Sequence, residues 1–216
     1  MSKDAYIAAT SPGQPGKPLM FAFHGTGGSE MQLYGLAEEL VPGAAIVAPR
    51  GDVLEHGAAR FFRRLGEGRY DMADLAARTE KMAAFVAAHK ADHPGRQVLG
   101  FGYSNGANIL ASVVMARPDL FDRAALLHPL IPWQPTPVPA LKGKEVLITA
   151  GRRDPICPWP LTEGLIGWLA NQGAVVEAEI HDGGHEIRQP EIDALARFFS
   201  AETQDTSFLT VRRENY

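Results

Sequence analysis

The sequence predicts an α/β fold in which helices cover both faces of a mostly parallel central sheet. Three observations carry that expectation. Short apolar runs alternate with helical stretches along the chain. Most of the runs are continuously apolar instead of alternating, the mark of strands buried on both faces. The 216 residues are 45% hydrophobic and 21% charged, a globular balance that excludes a coiled coil, a collagen or a disordered linker. At about 150 residues per domain, residues 1–200 are read as one domain and 201–216 as a polar extension.

In chain order, Ala5–Thr10 can add an N-terminal edge strand, and Leu19–Phe23 and Ala44–Ala48 are buried strands. The segment from Gly51 to Asp71 carries no strong helical or strand period and reads as a loop. Asp71 to Lys90 spaces Leu75, Met82, Phe85, Val86 and His89 as one helical stripe, with Asp71 as N-cap and Asp74 three residues on. Strand Gln97–Phe101 then leads into a helix over Asn105–Ala116, stopped by Pro118. Strand Ala124–Leu127 is followed by a structured Pro-rich loop, Pro129–Pro139. Strand Glu145–Thr149, helix Leu161–Asn171 ended by Gly173, strand Val175–Ile180 and helix Pro190–Ser200 complete the pattern. Residues 201–216 are expected to form a surface extension or a partly disordered arm, available as a contact in a homodimer.

Lys and Arg total 21 against 25 Asp and Glu, a net charge of −4, so no global field attracts nucleic acid or an anionic membrane. The single cysteine, Cys157, has no disulfide partner in the chain and suits a reducing compartment. The N-terminus lacks the apolar run of a signal peptide, and no stretch reaches the length of a membrane span. These features predict a soluble, cytoplasmic protein with no nucleic-acid partner.

The chemistry centres on Gly102-Tyr-Ser104-Asn-Gly106, between a strand and a helix. A strand turning sharply into a helix with serine at its tip strains that serine, and glycine two residues away on either side removes the collisions. The hydroxyl is thereby exposed at the carboxyl edge of the sheet, where ligands bind in open α/β folds. Serine needs a general base, and the base needs an acid to hold its tautomer. Asp154, beyond strand Glu145–Thr149, and His185, in the glycine loop after the last strand, follow Ser104 on the same edge. They are the candidate acid and base.

Competing residues fit less well. Asp119 and Asp122 precede a strand and fall on the opposite edge, and Asp182 is too close to His185 in the chain to reach behind its ring. His128 ends a strand before any acid in chain order, His24 belongs to another loop, and His181 suits packing. His24-Gly-Thr26-Gly-Gly28, directly after a strand, supplies the remaining element: the backbone N–H groups of Thr26 and Asn105 as an oxyanion hole. The loop lacks the Lys-Ser/Thr pair of a phosphate-binding P-loop. Gly100-Phe-Gly102-Tyr-Ser-Asn-Gly106 also resembles a dinucleotide turn with Asp119 ~20 residues on, yet Asp119 precedes its strand instead of ending it. A binding module without turnover is a further alternative, against which the complete set of reactive groups argues.

These residues resemble the α/β-hydrolase superfamily, and within it the small cap-less phospholipase/carboxylesterase group that includes acyl-protein thioesterases. The similarity is carried by His24-Gly-Thr-Gly-Gly28, Gly102-Tyr-Ser-Asn-Gly106, Gly151-Arg-Arg-Asp154 and Gly183-Gly-His185. Arg60-Phe-Phe-Arg-Arg-Leu65 with Gly68-Arg-Tyr-Asp71 is similar to a bacterial carboxylesterase branch, some of whose members are linked to quinone stress. The resemblance implies an α/β-hydrolase fold without a separate lid domain, and a serine esterase acting on a small-molecule ester with no cofactor and no metal. An acyl thioesterase or lysophospholipase is the alternative within the group. Residues 201–216 are not part of the pattern.

The aromatic-rich loop from Gly51 to Asp71 is expected to help line the substrate pocket, through Phe61, Phe62, Arg64 and Tyr70, together with Trp133 and Cys157. Its arginines would favour a substrate with a negative charge or an oxygen acceptor, and the absence of a lid would favour short acyl chains. Alternatively, Phe61 and Phe62 anchor the loop to the core while the arginines face water.

Overall fold

The computed structural model describes residues 3–200. A seven-stranded sheet is built from β1 (Ala8–Ser11), β2 (Leu19–Phe23), β3 (Ala45–Pro49), β8 (Val98–Tyr103), β9 (Arg123–Leu127), β10 (Glu145–Gly151) and β11 (Val175–His181). The remaining strands, β4 (Val53–Glu55), β5 (Ala58–Arg60), β6 (Arg64–Gly66) and β7 (Arg69–Tyr70), form two small hairpins. The sheet order is β1-β3-β2-β8-β9-β10-β11, parallel except where β1 pairs antiparallel with β3.

The continuous apolar runs have the expected cause. Leu19, Phe21 and Phe23 point into one core layer while Met20 and Ala22 point into the other. The first layer is closed by α2 (Met72–Ala91), α3 (Asn105–Ala116) and α4 (Trp159–Asn171), the second by α1 (Tyr34–Leu40) and α5 (Gln189–Ser200). Among the described residues every α-helix belongs to one of these two layers, and none forms a separate lid over the sheet edge. Asp71 caps α2 as its position predicts, accepting a bond from the Asp74 N–H at 3.0 Å.

The Gly51–Asp71 segment departs from the reading of it as an aperiodic loop. Its two hairpins have strands of only two or three residues, too short for a period-2 pattern to register. They are fastened to the sheet by local contacts. The Gly51 N–H donates to His24 Nε2 at 2.8 Å, and the Phe61 N–H donates to Asn105 Oδ1 at 2.8 Å. None of the described helices is long and apolar enough to cross a membrane. The expected extension at 201–216 lies outside the described residues.

Candidate active site

The turn from β8 into α3 sets the geometry. Ser104 has φ 53° and ψ −115°, a conformation that L-residues adopt only under constraint. The constraint comes from packing: a Cβ on Gly102 would lie 2.6 Å from the Gly106 backbone, and one on Gly106 would lie 2.1 Å from the Phe23 carbonyl oxygen. Neither obstacle is a flexible side chain, so both positions require glycine. The Ser104 N–H donates to the Leu127 carbonyl at 2.8 Å, tying the tip to β9.

Ser104 Oγ lies 2.9 Å from His185 Nε2, and His185 Nδ1 lies 2.7 Å from Asp154 Oδ2. Asp154 sits beyond β10 and His185 beyond β11, at the carboxyl edge of the sheet. A carboxylate can only accept, so the imidazole carries its proton on Nδ1 and presents the Nε2 lone pair to the serine. Tyr103 steadies the histidine loop, its hydroxyl donating to the His185 carbonyl at 2.7 Å.

The structure adds two partners behind this line. His128 is wholly buried, its Nδ1 2.9 Å from Asp154 Oδ2 and its Nε2 2.9 Å from Glu191 Oε1. Glu191 is equally buried, takes the Arg188 N–H at 2.7 Å, and lies 3.2 Å from His181 Nε2. Asp154 Oδ1 accepts from the N–H groups of Ile156 at 2.8 Å and Cys157 at 2.9 Å. Burial alone would raise the Asp154 pKa, but the bonds from His128, His185, Cys157 and Ile156 outweigh it and hold the carboxyl well below its ordinary range. Burial pulls His128 down, and its bonds to Asp154 and Glu191 more than reverse this, raising it to about 9. A cation between two carboxylates is the consistent state, because a neutral ring would turn a lone pair toward one of them.

This cation makes stability depend on pH. With its folded pKa raised above the unfolded value of about 6.5, His128 contributes fully below about pH 6.5 and loses that contribution as pH rises through about 9. Thermal melts from pH 6 to 10 should show the wild type losing Tm across this window. His128→Gln, which cannot titrate, should start lower and stay nearly flat. Equal slopes would place the titration elsewhere.

Thr26 and Asn105 line the same cavity as Ser104, of about 540 Å³. Among the described residues neither backbone N–H donates to a protein acceptor. Gly27, at φ 78°, donates its own N–H to the Ala59 carbonyl at 2.9 Å, so the glycine loop is pinned to the β4–β5 hairpin.

The cavity also takes in Arg64, Tyr70 and Cys157, but the other expected pocket residues are elsewhere. Phe61 and Phe62 are completely buried: Phe61 packs edge-on against Phe23, and Phe62 against Tyr70, because burying both rings is what anchors the hairpins to the core. They support the pocket and do not line it. Trp133 stands behind Tyr70, ring centroids 6.0 Å apart, and faces two neighbouring hollows. Tyr70 is held in a closed ring: its hydroxyl donates to the Leu130 carbonyl at 2.9 Å, accepts from Asn108 Nδ2 at 2.8 Å, and Asn108 Oδ1 takes the Leu130 N–H at 2.7 Å. Cys157 is in the wall with its thiol pointed at the His128 carbonyl, 3.1 Å away, and burial pushes its pKa up, which leaves it unreactive.

Asp122 accepts from the Val98 N–H, at the start of β8 and thus on the edge away from Ser104. Asp119 pairs with Arg117 in the same exposed turn, which disposes of the dinucleotide arrangement. His24 is buried and accepts from Gly51 N–H, a packing role. His128 and Glu191 are the residues that sequence reasoning did not bring to the site. A buried position at a strand end was the available signal for His128; Glu191 offered none.

No family model matches the chain. It is 37% identical over 183 residues to the protein named Putative hydrolase MhqD from Bacillus subtilis, an alignment covering 84% of this chain and 92% of that protein. The crystal structure of the Bacillus cereus carboxylesterase superposes with a TM-score of 0.85 at 35% identity, covering 90% of this chain and 93% of that one. The crystal structure of Atu2452 from Agrobacterium tumefaciens, a protein of unknown function, gives 0.86 at 51% identity, covering 92% and 98%.

Proposed function

Because the chain belongs to the α/β-hydrolase superfamily, in its small cap-less carboxylesterase group, we propose that it is a serine carboxylic-ester hydrolase working through a covalent acyl-enzyme. The observation that carries this is the unbroken line from Ser104 Oγ to His185 to Asp154 at 2.9 and 2.7 Å, opening on one cavity.

Ser104 Oγ attacks the ester carbonyl carbon as His185 Nε2 takes the hydroxyl proton. The carbonyl oxygen gains the negative charge, and the N–H groups of Thr26 and Asn105 stabilise it. When the tetrahedral centre collapses, the C–O bond to the alcohol breaks and His185 returns the proton to the departing oxygen. Water then attacks the acyl-serine, again losing its proton to His185. Collapse releases the carboxylic acid and restores Ser104 with that proton. Asp154 orients the ring throughout and stabilises the imidazolium. The scheme needs no cofactor or metal, and the single cysteine and the net charge of −4 suit a cytoplasmic enzyme.

A fluorophosphonate should label the wild type at Ser104 alone, and an activated p-nitrophenyl ester should give turnover. Absence of both overturns the reading. A series of graded acyl length beside an acyl thioester separates the esterase from the thioesterase within the group. With Tyr70, Leu130 and Ile156 closing a cavity of about 540 Å³, short chains should win.

A further inference from the structure

We propose that the pocket selects esters carrying a carboxylate, received by Arg64; this rests on the ester-hydrolase reading above. Two guanidinium groups and one carboxylate meet at the pocket wall. Arg64 Nε reaches both Glu55 oxygens, at 2.8 and 3.0 Å, and Arg60 Nε lies 3.3 Å from the same carboxylate. Two cations therefore share one anion, so the Arg60–Arg64–Glu55 cluster is itself positive by one charge, and the only other charge of this rim, the exposed Glu67, makes no ion pair with it among the described residues.

The two arginines are not equivalent. Arg60 is buried and occupied, its Nε donating to the Phe62 carbonyl at 3.3 Å and its terminal nitrogen to Thr26 Oγ1 at 2.8 Å. Its charge acts on the pocket at short range, and a desolvated cation with only a share of a carboxylate gains from a further anion nearby. The Arg64 side chain is held, among the described residues, through Nε alone. Among the described residues its two terminal nitrogens donate to no protein acceptor, and the residue lines the same cavity as Ser104 and His185. A guanidinium anchored in this way leaves its two-pronged edge for a planar carboxylate. Arg63, by contrast, is exposed and turns to Asp71 and Asp74.

The size of the surplus decides the charge of the ligand. The cluster's single positive charge, offset in part by the exposed Glu67 on the same rim, matches a monoanion, whereas a phosphate dianion would leave the rim negative. Because Glu67 faces the same opening, it opposes the preference.

The test compares acidic esters with their own neutral methyl esters: 4-acetoxybenzoate against methyl 4-acetoxybenzoate, and monomethyl glutarate against dimethyl glutarate. The first pair places the carboxylate on the alcohol side and the second on the acyl side. For at least one pair, Arg64→Gln should lower the acidic-to-neutral ratio of kcat/KM about tenfold, Arg64→Lys should restore part of it, and Glu67→Gln should raise it. Raised ionic strength should weaken the wild-type preference. Thermal melts show which variants are folded, and the Glu67→Gln arm holds if Arg64→Gln unfolds. An unchanged ratio in folded Arg64→Gln, or an unchanged ratio in Glu67→Gln when Arg64→Gln is unfolded, overturns the proposal. Wild-type enzyme that turns over neither member of either pair and takes no fluorophosphonate overturns the ester-hydrolase reading instead.

Discussion

Replacing Ser104 by alanine is expected to lower kcat for an activated ester by about a thousandfold or more, with the fold intact. The loss follows from geometry: Oγ is the only atom removed, and it is the one 2.9 Å from His185 Nε2. Alanine inherits the same backbone strain at φ 53°, so its melting temperature should stay close to that of the wild type. Ser104→Gly should be equally inactive yet more stable, since glycine accepts that conformation without a Cβ conflict. Steady-state kinetics, fluorophosphonate labelling and melts on the three proteins check the pair of expectations together. Near wild-type turnover by Ser104→Ala would remove the serine from the reaction.

Asp154→Asn should cost activity on a similar scale, about a thousandfold or more, and should also cost stability. Asp154 accepts from four N–H groups: Ile156 and Cys157 at one oxygen, His128 and His185 at the other. An amide can accept at only one end. If its NH₂ faces the two rings, it opposes their donors and favours the wrong His185 tautomer; if it faces the loop, the Ile156 and Cys157 amides lose their acceptor. Asp182→Asn is the control, because the Asp182 side chain is exposed and, among the described residues, only its backbone carbonyl takes a bond, from Arg153. A reversal of the two effects, in kcat and in melting temperature, would move the acid to Asp182.

The five inner strands of the sheet were legible because two-sided burial writes a continuous apolar run, and each became a strand within one or two residues of the expected ends; the edge strand expected at Ala5–Thr10 starts only at Ala8, and the other edge strand, β11, is half exposed, because an edge is covered less fully. That Ser104, Asp154 and His185 would meet at one edge of the sheet was legible for a related reason: glycine marks the points where the backbone must pass close to itself, and two of the three lie beside such points. Tyr34–Leu40 was not, since a seven-residue helix containing Gly35 and lacking a side-chain cap bond shows no clear start. Phe61 and Phe62 were flagged by aromatic content, which says that a ring will be buried and not on which side of the chain. The pairing of His128 with Glu191 crosses 63 residues of sequence, and a glutamate in the first turn of a helix looks locally like a favourable end charge. Only tertiary placement turns it into a counter-ion.

The ties of the hairpins to the sheet bear on how such a protein can change over generations. His24 and Asn105 hold the backbone of this segment, not its side chains, at Gly51 and Phe61. The distal turn, with exposed Leu65, Glu67, Gly68 and Arg69, contributes little to the core. Substitutions at Leu65, Glu67 and Arg69 can redraw the mouth of the cavity at small thermodynamic cost, Gly68 being held by its φ of 63°, while Ser104, His185 and Asp154 are left untouched. Preference for one ester over another can therefore drift, or be selected in the laboratory, by randomising a handful of hairpin positions in a chain whose reactive centre stays fixed.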